Sequence, residues 1–117
     1  MNNKRDIGKT GEDQAMQFLK NNNYEILDRN FRYRRAEIDI IARKIDLIIF
    51  IEVKKRANNK YGFPESFVSE EQTERIMEAA EEYVFQNNWN GNIRFDIISI
   101  EGSGDNISIT HFKDAIH

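Results

Sequence analysis

EIDIIARKIDLIIFIEVK, residues 37–54, is the segment from which the architecture of the chain follows. It holds two isoleucine-rich runs, Glu37–Arg43 and Leu47–Lys54, separated by a few residues as in an antiparallel β-hairpin. Apolar residues occupy both faces of these predicted strands, and strict alternation puts Ile38 and Ile40 together on one face. Strands that are apolar on both faces lie under cover on both sides, so we expect helices to pack on the sheet.

Further helices and strands are predicted on either side of this hairpin. Apolar residues at helical spacing predict a first helix over about Asp6 to Asn22 and a second over Glu70 to Asn87. β-Branched and aromatic residues predict strands over Tyr24 to Phe31, Ile93 to Ile100 and Ile107 to Phe112. The predicted fold class is α/β: a helix, three strands, a helix and one or two strands, forming a mixed sheet flanked by helices.

Length and composition limit the class of protein. A chain of 117 residues suits one domain, which we place over residues 1–117. Because there is no cysteine, any metal must be held by oxygen or imidazole ligands. The longest apolar run, Leu47 to Ile51, is too short to span a membrane, and the first residues do not resemble a signal peptide. We therefore expect a cytoplasmic protein without a membrane partner.

Charge is distributed unevenly along the chain. The formal net charge is -3, yet residues 29–60 carry ten basic and four acidic side chains, whereas residues 61–117 carry three basic and eleven acidic ones. A basic middle segment can meet the phosphates of a nucleic acid while the acidic remainder keeps the protein in solution. On charge alone, the simpler interpretation is that the strands have solvated edges and the second helix a solvated face.

The hairpin brings two carboxylates and a lysine together. If its loop is Ile45 and Asp46, residues whose numbers add to 91 face each other, which sets Asp39 opposite Glu52. A register shift by one pair would leave the two carboxylates as diagonal neighbours on the same face. Lys54 lies two residues beyond Glu52 and therefore shares that face.

This group of side chains can support metal-dependent hydrolysis. Two adjacent carboxylates repel each other, and a divalent cation relieves the repulsion. Oxygen ligands suit Mg2+ or Mn2+, with Asp39 and Glu52 as the protein ligands. Lys54 can then act on an attacking water or neutralise phosphate charge, as phosphodiester hydrolysis requires. The alternative is a surface ion pair between Glu52 and Lys54, with Asp39 as a solubilising residue at the strand edge.

The wider pattern resembles a known family, the YraN-like predicted endonucleases of the PD-(D/E)XK superfamily, which are related to archaeal Holliday-junction resolvases. The resemblance spans residues 8–96 of this chain. Its matching residues are Gly8, Gly11-Glu12, Ala15, Leu19, Tyr24, Arg29-Asn30, Glu37-Ile38-Asp39, Ile41-Ala42, Phe50, Glu52-Val53-Lys54, Arg56, Tyr61-Gly62, Pro64 and Arg94-Phe95-Asp96.

The resemblance implies a restriction-endonuclease-like core and a catalytic centre of Asp39, Glu52 and Lys54, with Glu12 from the first helix as an additional acid. It also implies DNA, including branched DNA, as substrate, and a homodimer where two strands are cut symmetrically. In one respect the chain departs from the pattern. Family members often carry a lysine near the start of the second helix, where this chain has Gln72, and weaker DNA contact or turnover is the expected result.

Basic side chains near the predicted site are candidates for contact with DNA. An arginine-rich stretch interleaved with Phe31 and Tyr33 can contact the nucleic-acid backbone, and it is as readily a solvated loop between two strands. The candidates are Arg32, Arg34, Arg35, Lys55 and Arg56. His111 and His117 have no companion ligand, so we expect structural or solvated roles for them.

We therefore predict a divalent-metal-dependent endonuclease acting on DNA. One alternative is a nucleic-acid-binding module without catalysis, which the acidic total and Gln72 favour slightly. Another is a protein-interaction domain that uses the acidic second helix.

Overall fold

The computed structural model describes residues 4–56, 68–103 and 105–117. In chain order the elements are α1 (Lys4–Asn21), β1 (Glu25–Tyr33), β2 (Ala36–Lys44), β3 (Leu47–Arg56), α2 (Glu70–Gln86), β4 (Asn92–Ser103) and β5 (Asn106–Phe112). Each predicted helix and strand is present, and the predicted mixed α/β class is confirmed. Within the described ranges, no helix is both long and apolar enough to cross a membrane.

The five strands form one mixed sheet whose spatial order follows the chain, β1-β2-β3-β4-β5. Neighbouring strands are antiparallel except β3 and β4, which run parallel. A parallel pair needs a long connection between its strands, and α2 lies in that connection. The sheet is therefore two antiparallel units joined through the β3–α2–β4 crossover.

The two helices cover opposite faces of the sheet. Ala15 and Leu19 of α1 are buried together with Ile49 and Ile51, whereas Ile76 and Ala79 of α2 are buried in a second cluster on the other side. Both clusters draw on the same central strands because successive side chains of a strand point to opposite faces. This is the double cover that the apolar hairpin predicted.

The register of the central hairpin is the predicted one. Ile40 pairs with Ile51 and Lys44 pairs with Leu47, so the paired numbers add to 91 and the loop is Ile45 with Asp46. Register matters here because a shift of one residue would exchange the two faces of the strand. The predicted register therefore places the candidate carboxylates near each other.

The prediction that Ile38 and Ile40 share a face is wrong. Ile38 belongs to the cluster under α2, whereas Ile40 belongs to the cluster under α1. Regular pairing between β2 and β3 ends at Ile40. On the other side of β2, Asn30 of β1 lies opposite Asp39 and has a positive φ of 55°. The alternation is interrupted at this irregularity, and Asp39 is the residue located there.

The β1–β2 hairpin is longer than predicted. Tyr33 pairs with Ala36, so the connection between the strands is only the turn of Arg34 and Arg35. Arg34 has a φ of 56°, the left-handed conformation that a tight turn demands. Arg32, expected in a loop, lies within β1.

A buried ionic cluster joins β4 to β5 and to the end of the chain. Asp96 is fully buried and accepts hydrogen bonds from Arg94 and from the backbone N–H of Asp114. His111 of β5 lies 2.7 Å from the same carboxylate, so its role is structural, as expected. These partners keep the pKa of Asp96 below its usual range despite burial.

The turn at Ile45 generates a first prediction. Ile45 has a φ of 59° and is 83% exposed, so a β-branched residue holds a left-handed conformation without burying its side chain. The change Ile45→Asn should raise the free energy of unfolding by about 1 kcal/mol, because asparagine tolerates this conformation. Urea unfolding measures the difference. Ile45→Val keeps the branched Cβ and should give no gain, and a gain as large as that of asparagine would contradict the explanation.

Candidate functional site

Asp39 and Glu52 lie just beyond the last regular pair of the central hairpin. The paired residues of β2 and β3 end at Ile40 and Ile51. One position further, the Asp39 carboxylate accepts a hydrogen bond of 2.8 Å from the backbone N–H of Val53. A side chain thus provides the contact between the strands at the point where regular pairing stops, and it fixes the Asp39 carboxylate beside β3.

Glu52 is held by two donors that act on the same oxygen. Its Oε2 accepts a hydrogen bond of 2.8 Å from Gln72 Nε2 of α2 and lies 3.4 Å from Lys54 Nζ. The Lys54 and Glu52 side chains are 21% and 10% exposed. The pair is therefore half-buried, unlike the surface ion pair that the alternative interpretation required.

The Asp39 carboxyl group is strongly perturbed. Burial raises its pKa, repulsion from Glu52 raises it further, and the Val53 N–H opposes both, leaving a pKa of about 8. A side-chain interaction with Glu52 and the charge of Glu12 raise the pKa as well. Near neutral pH the Asp39 carboxyl group therefore retains a proton, which a bound cation would displace.

Glu12 reaches the same region from α1. Its Oε1 is 3.3 Å from Arg29 Nε, and Arg29 also pairs with Asp13 at 2.8 Å. The charge of Glu12 adds to the rise in the pKa of Asp39. The structure thus brings Glu12 into electrostatic range of the carboxylate pair, while its closest contact is with Arg29.

A cavity of about 490 Å³ opens beside the two carboxylates, between the start of β2 and the start of α2. Among the predicted basic residues, Arg35 lines it. Arg32 does not line the cavity, but it pairs at 3.1 Å with Glu37, which does. Among the described residues, the lining consists of Arg35, Ala36, Glu37, Asp39, Glu52, Ser69, Glu71, Gln72, Arg75 and Ile76.

Other predicted basic residues lie elsewhere. The Cδ of Lys55 would lie 3.3 Å from a Cβ built on Gly11, so Lys55 packs along α1, away from the face that carries Lys54. Arg56 ends β3 and does not line this cavity. Tyr61, Gly62 and Pro64, which also carry the family resemblance, fall outside the described residues.

Sequence reasoning singled out only Gln72 of α2 and missed the rest of that helix's contribution to the cavity. Ser69 caps the helix by accepting the backbone N–H of Gln72, and Ser69 followed three residues later by Gln72 is a capping-box signal. That signal would have located the start of the helix, but it predicts that the Gln72 side chain bonds back to the backbone N–H of Ser69. In the structure the amide donates to Glu52 instead. Arg75 follows on the same helical face, one turn later.

The donor set fits a magnesium-like ion better than a closed metal site. No group of three or more His, Cys, Asp or Glu side chains in the described part of the chain could hold a metal. A structural zinc site normally has four protein ligands, whereas Mg2+ takes one or two carboxylates and fills its other positions with water or phosphate. The Asp39 and Glu52 pair meets the second requirement.

Fold and site define a mixed α/β protein with paired carboxylates in a cavity at one end of the sheet. Residues 11–100 match the uncharacterised protein family UPF0102. The chain is 48% identical over 112 residues to a UPF0102 protein of Acetivibrio thermocellus, covering 92% of this chain and 86% of that one. It is 39% identical over 112 residues to one of Flavobacterium psychrophilum, covering 96% and 94%. The chain therefore belongs to the UPF0102 family, with which the resemblance noted above is compatible.

The raised pKa of Asp39 predicts a pH-dependent stability. A carboxyl group whose folded pKa of about 8 exceeds its unfolded value of about 4 stabilises the fold below pH 4, and this stabilisation is lost as pH rises through 8. In EDTA, the free energy of unfolding of the wild-type protein should therefore fall relative to that of Asp39→Asn as the pH rises from about 4 to about 8. Asparagine retains an oxygen for the Val53 N–H.

Urea unfolding at a series of pH values measures this difference. Asp46→Asn, the same change on an exposed turn residue of the same hairpin, should reproduce the wild-type pH dependence. Parallel curves for wild type and Asp39→Asn would show that the Asp39 carboxyl group is not perturbed in the folded protein.

Proposed function

We propose that this protein is a divalent-metal-dependent endonuclease that hydrolyses DNA phosphodiester bonds, built on a restriction-endonuclease-like core. The main support is the raised pKa of Asp39 beside Glu52 in an open cavity. Perturbed acids in a cavity are typical of functional sites. The mixed sheet with one helix on each face is the architecture that the proposal requires.

Asp39 and Glu52 would hold Mg2+ or Mn2+. When bound, such an ion polarises a phosphoryl oxygen and makes water a stronger nucleophile. The chain's own contribution is to keep the two carboxylates adjacent. The Val53 N–H holds Asp39 from one side, and the Gln72 amide holds Glu52 from the other.

Lys54 and Glu12 have distinct places in this proposal. The Lys54 ammonium, 3.4 Å from Glu52, can neutralise charge that develops on the phosphate and can orient a water molecule by hydrogen bonding. Glu12 is an accessory acid, which Arg29 positions through its ion pair. Gln72 is a positioning residue because it acts on the reaction only through Glu52.

DNA is the proposed substrate because basic side chains border the carboxylate cavity. Arg35 lines this cavity, and Arg34 lies beside it in the same turn. Arginine is well suited to phosphate because its planar guanidinium donates two parallel hydrogen bonds. Cleavage of branched DNA on two strands would need two such sites related by symmetry, and hence a homodimer.

Cleavage assays on plasmid, duplex and branched DNA with Mg2+ or Mn2+ test the proposal. Wild type should give metal-dependent products, and Asp39→Asn, Glu52→Gln and Lys54→Ala should each lower the rate by about a hundredfold or more. The same chemical changes at exposed positions serve as matched controls. Asp46→Asn, Glu74→Gln and Lys113→Ala should retain the wild-type rate within about twofold.

Other results would point to the alternative functions. Equal cleavage by wild type and Glu52→Gln would end the nuclease assignment. Salt-sensitive DNA binding that persists in Lys54→Ala, with no metal-dependent product from wild type, would indicate a binding module without catalysis. No binding to DNA at low salt, together with recovery of a protein partner, would indicate an interaction domain.

Gln72 supplies a separate prediction. Loss of its amide in Gln72→Ala should free one side of Glu52 and raise the Mg2+ concentration for half-maximal cleavage by about tenfold or more. The rate at saturating Mg2+ should recover most of the wild-type value, since Gln72 acts only by orienting a ligand. Thr73→Ala, the next position of the helix, should leave the metal requirement unchanged. An unchanged metal requirement in Gln72→Ala would contradict the positioning role.

A further inference from the structure

A second concavity of about 210 Å³ adjoins the carboxylate cavity. Arg35, Ala36 and Arg75 line both, so they form the boundary between them. Arg34 and Glu78 lie on its far side. An extended ligand held at the carboxylate pair can therefore continue past Arg35 and Arg75 without leaving the surface of the protein.

The charges around this boundary leave two arginines for a ligand. Glu37 of the cavity wall pairs with Arg32 at 3.1 Å, and the carboxylate pair would hold the metal ion. Among the described residues, Arg35 has no ion pair or hydrogen bond and its side chain is exposed. Within the described part of the chain, the boundary thus presents a guanidinium without an ion-pair partner directly beside the site of proposed hydrolysis.

Arg75 is paired, but only weakly. Its partner is Glu71, one turn earlier on α2, and the two side chains are 42% and 72% exposed. Exposed ion pairs of this spacing contribute little because water and salt screen them. Arg75 can therefore exchange Glu71 for a stronger anionic partner, such as a phosphate that takes two parallel hydrogen bonds from the guanidinium.

We propose that Arg35 and Arg75 form a subsite for a backbone phosphate of the DNA strand, next to the phosphate that is cleaved. The proposal rests on the proposed nuclease function for the identity of the strand. The two arginines come from different elements, the β1–β2 turn and α2, and both line the boundary between the two cavities. Beyond them the path ends at Glu78, which pairs with Arg34 at 3.8 Å.

Binding of a labelled DNA duplex, with Ca2+ in place of Mg2+ to prevent cleavage, tests this subsite. Arg35→Gln and Arg75→Gln should each weaken binding about tenfold and lower the slope of log affinity against log salt by about 1. Glu71→Gln should have the opposite effect, because it removes the competing partner of Arg75 and one negative charge at the rim. Circular dichroism and thermal unfolding establish that each variant is folded.

Lys20→Gln is the matched control, since it removes one positive charge from an exposed position in the last turn of α1. That helix covers the opposite face of the sheet from α2. The control variant should change the affinity by no more than about twofold, because salt screens charges at that distance. Wild type that fails to bind DNA, or arginine variants that bind like Lys20→Gln, would overturn the subsite.

The cleavage assay distinguishes failure of the proposed subsite from failure of the proposed nuclease function. Wild-type cleavage with unaltered binding by both arginine variants would leave the nuclease and remove the subsite. Arginine-dependent binding without metal-dependent cleavage by wild type would support the subsite as part of a binding surface and remove the nuclease.

Discussion

The close approach of Asp39 and Glu52 is the constraint on which the site depends. The two carboxylates repel each other when both are ionised, so the rest of the fold must hold them together. The hairpin behind them does this because Ile40, Ile51 and Phe50 are buried on its two faces and fix its register. Stability in the core thus maintains an unfavourable arrangement at its edge, as is common at functional sites.

Asp96 shows that burial of an acid in this sheet does not by itself produce such a site. It faces Ile51 across β3 and β4 and is fully buried, yet its pKa is lowered, because His111, Arg94 and a backbone N–H compensate its charge. Asp39 has a single backbone donor and a neighbouring acid, and its pKa is raised to about 8. The difference lies in the partners, and it separates a structural acid from a candidate catalytic one.

Periodicity and loop length were enough to predict the elements and the central register. The buried strands carry isoleucine on both faces, and a two-residue loop allows only one pairing. The irregularity at Asp39 could not be predicted, because asparagine tolerates a positive φ at position 30 without requiring it. Arg75 was missed for another reason: its place depends on how α2 lies across the sheet, which no local pattern specifies.

Gln72 now has a physical explanation that the resemblance alone did not offer. A lysine at this position was expected to contact phosphate, so a glutamine suggested weaker DNA binding. In the structure the Gln72 amide donates to Glu52 and is thus turned toward the carboxylate pair. A neutral donor orients Glu52 without cancelling its charge, so Lys54 is the one cation among the described residues that pairs with it. In the proposed nuclease, more negative charge would be left for a divalent ion, and phosphate contact would fall to arginines further along the cavity.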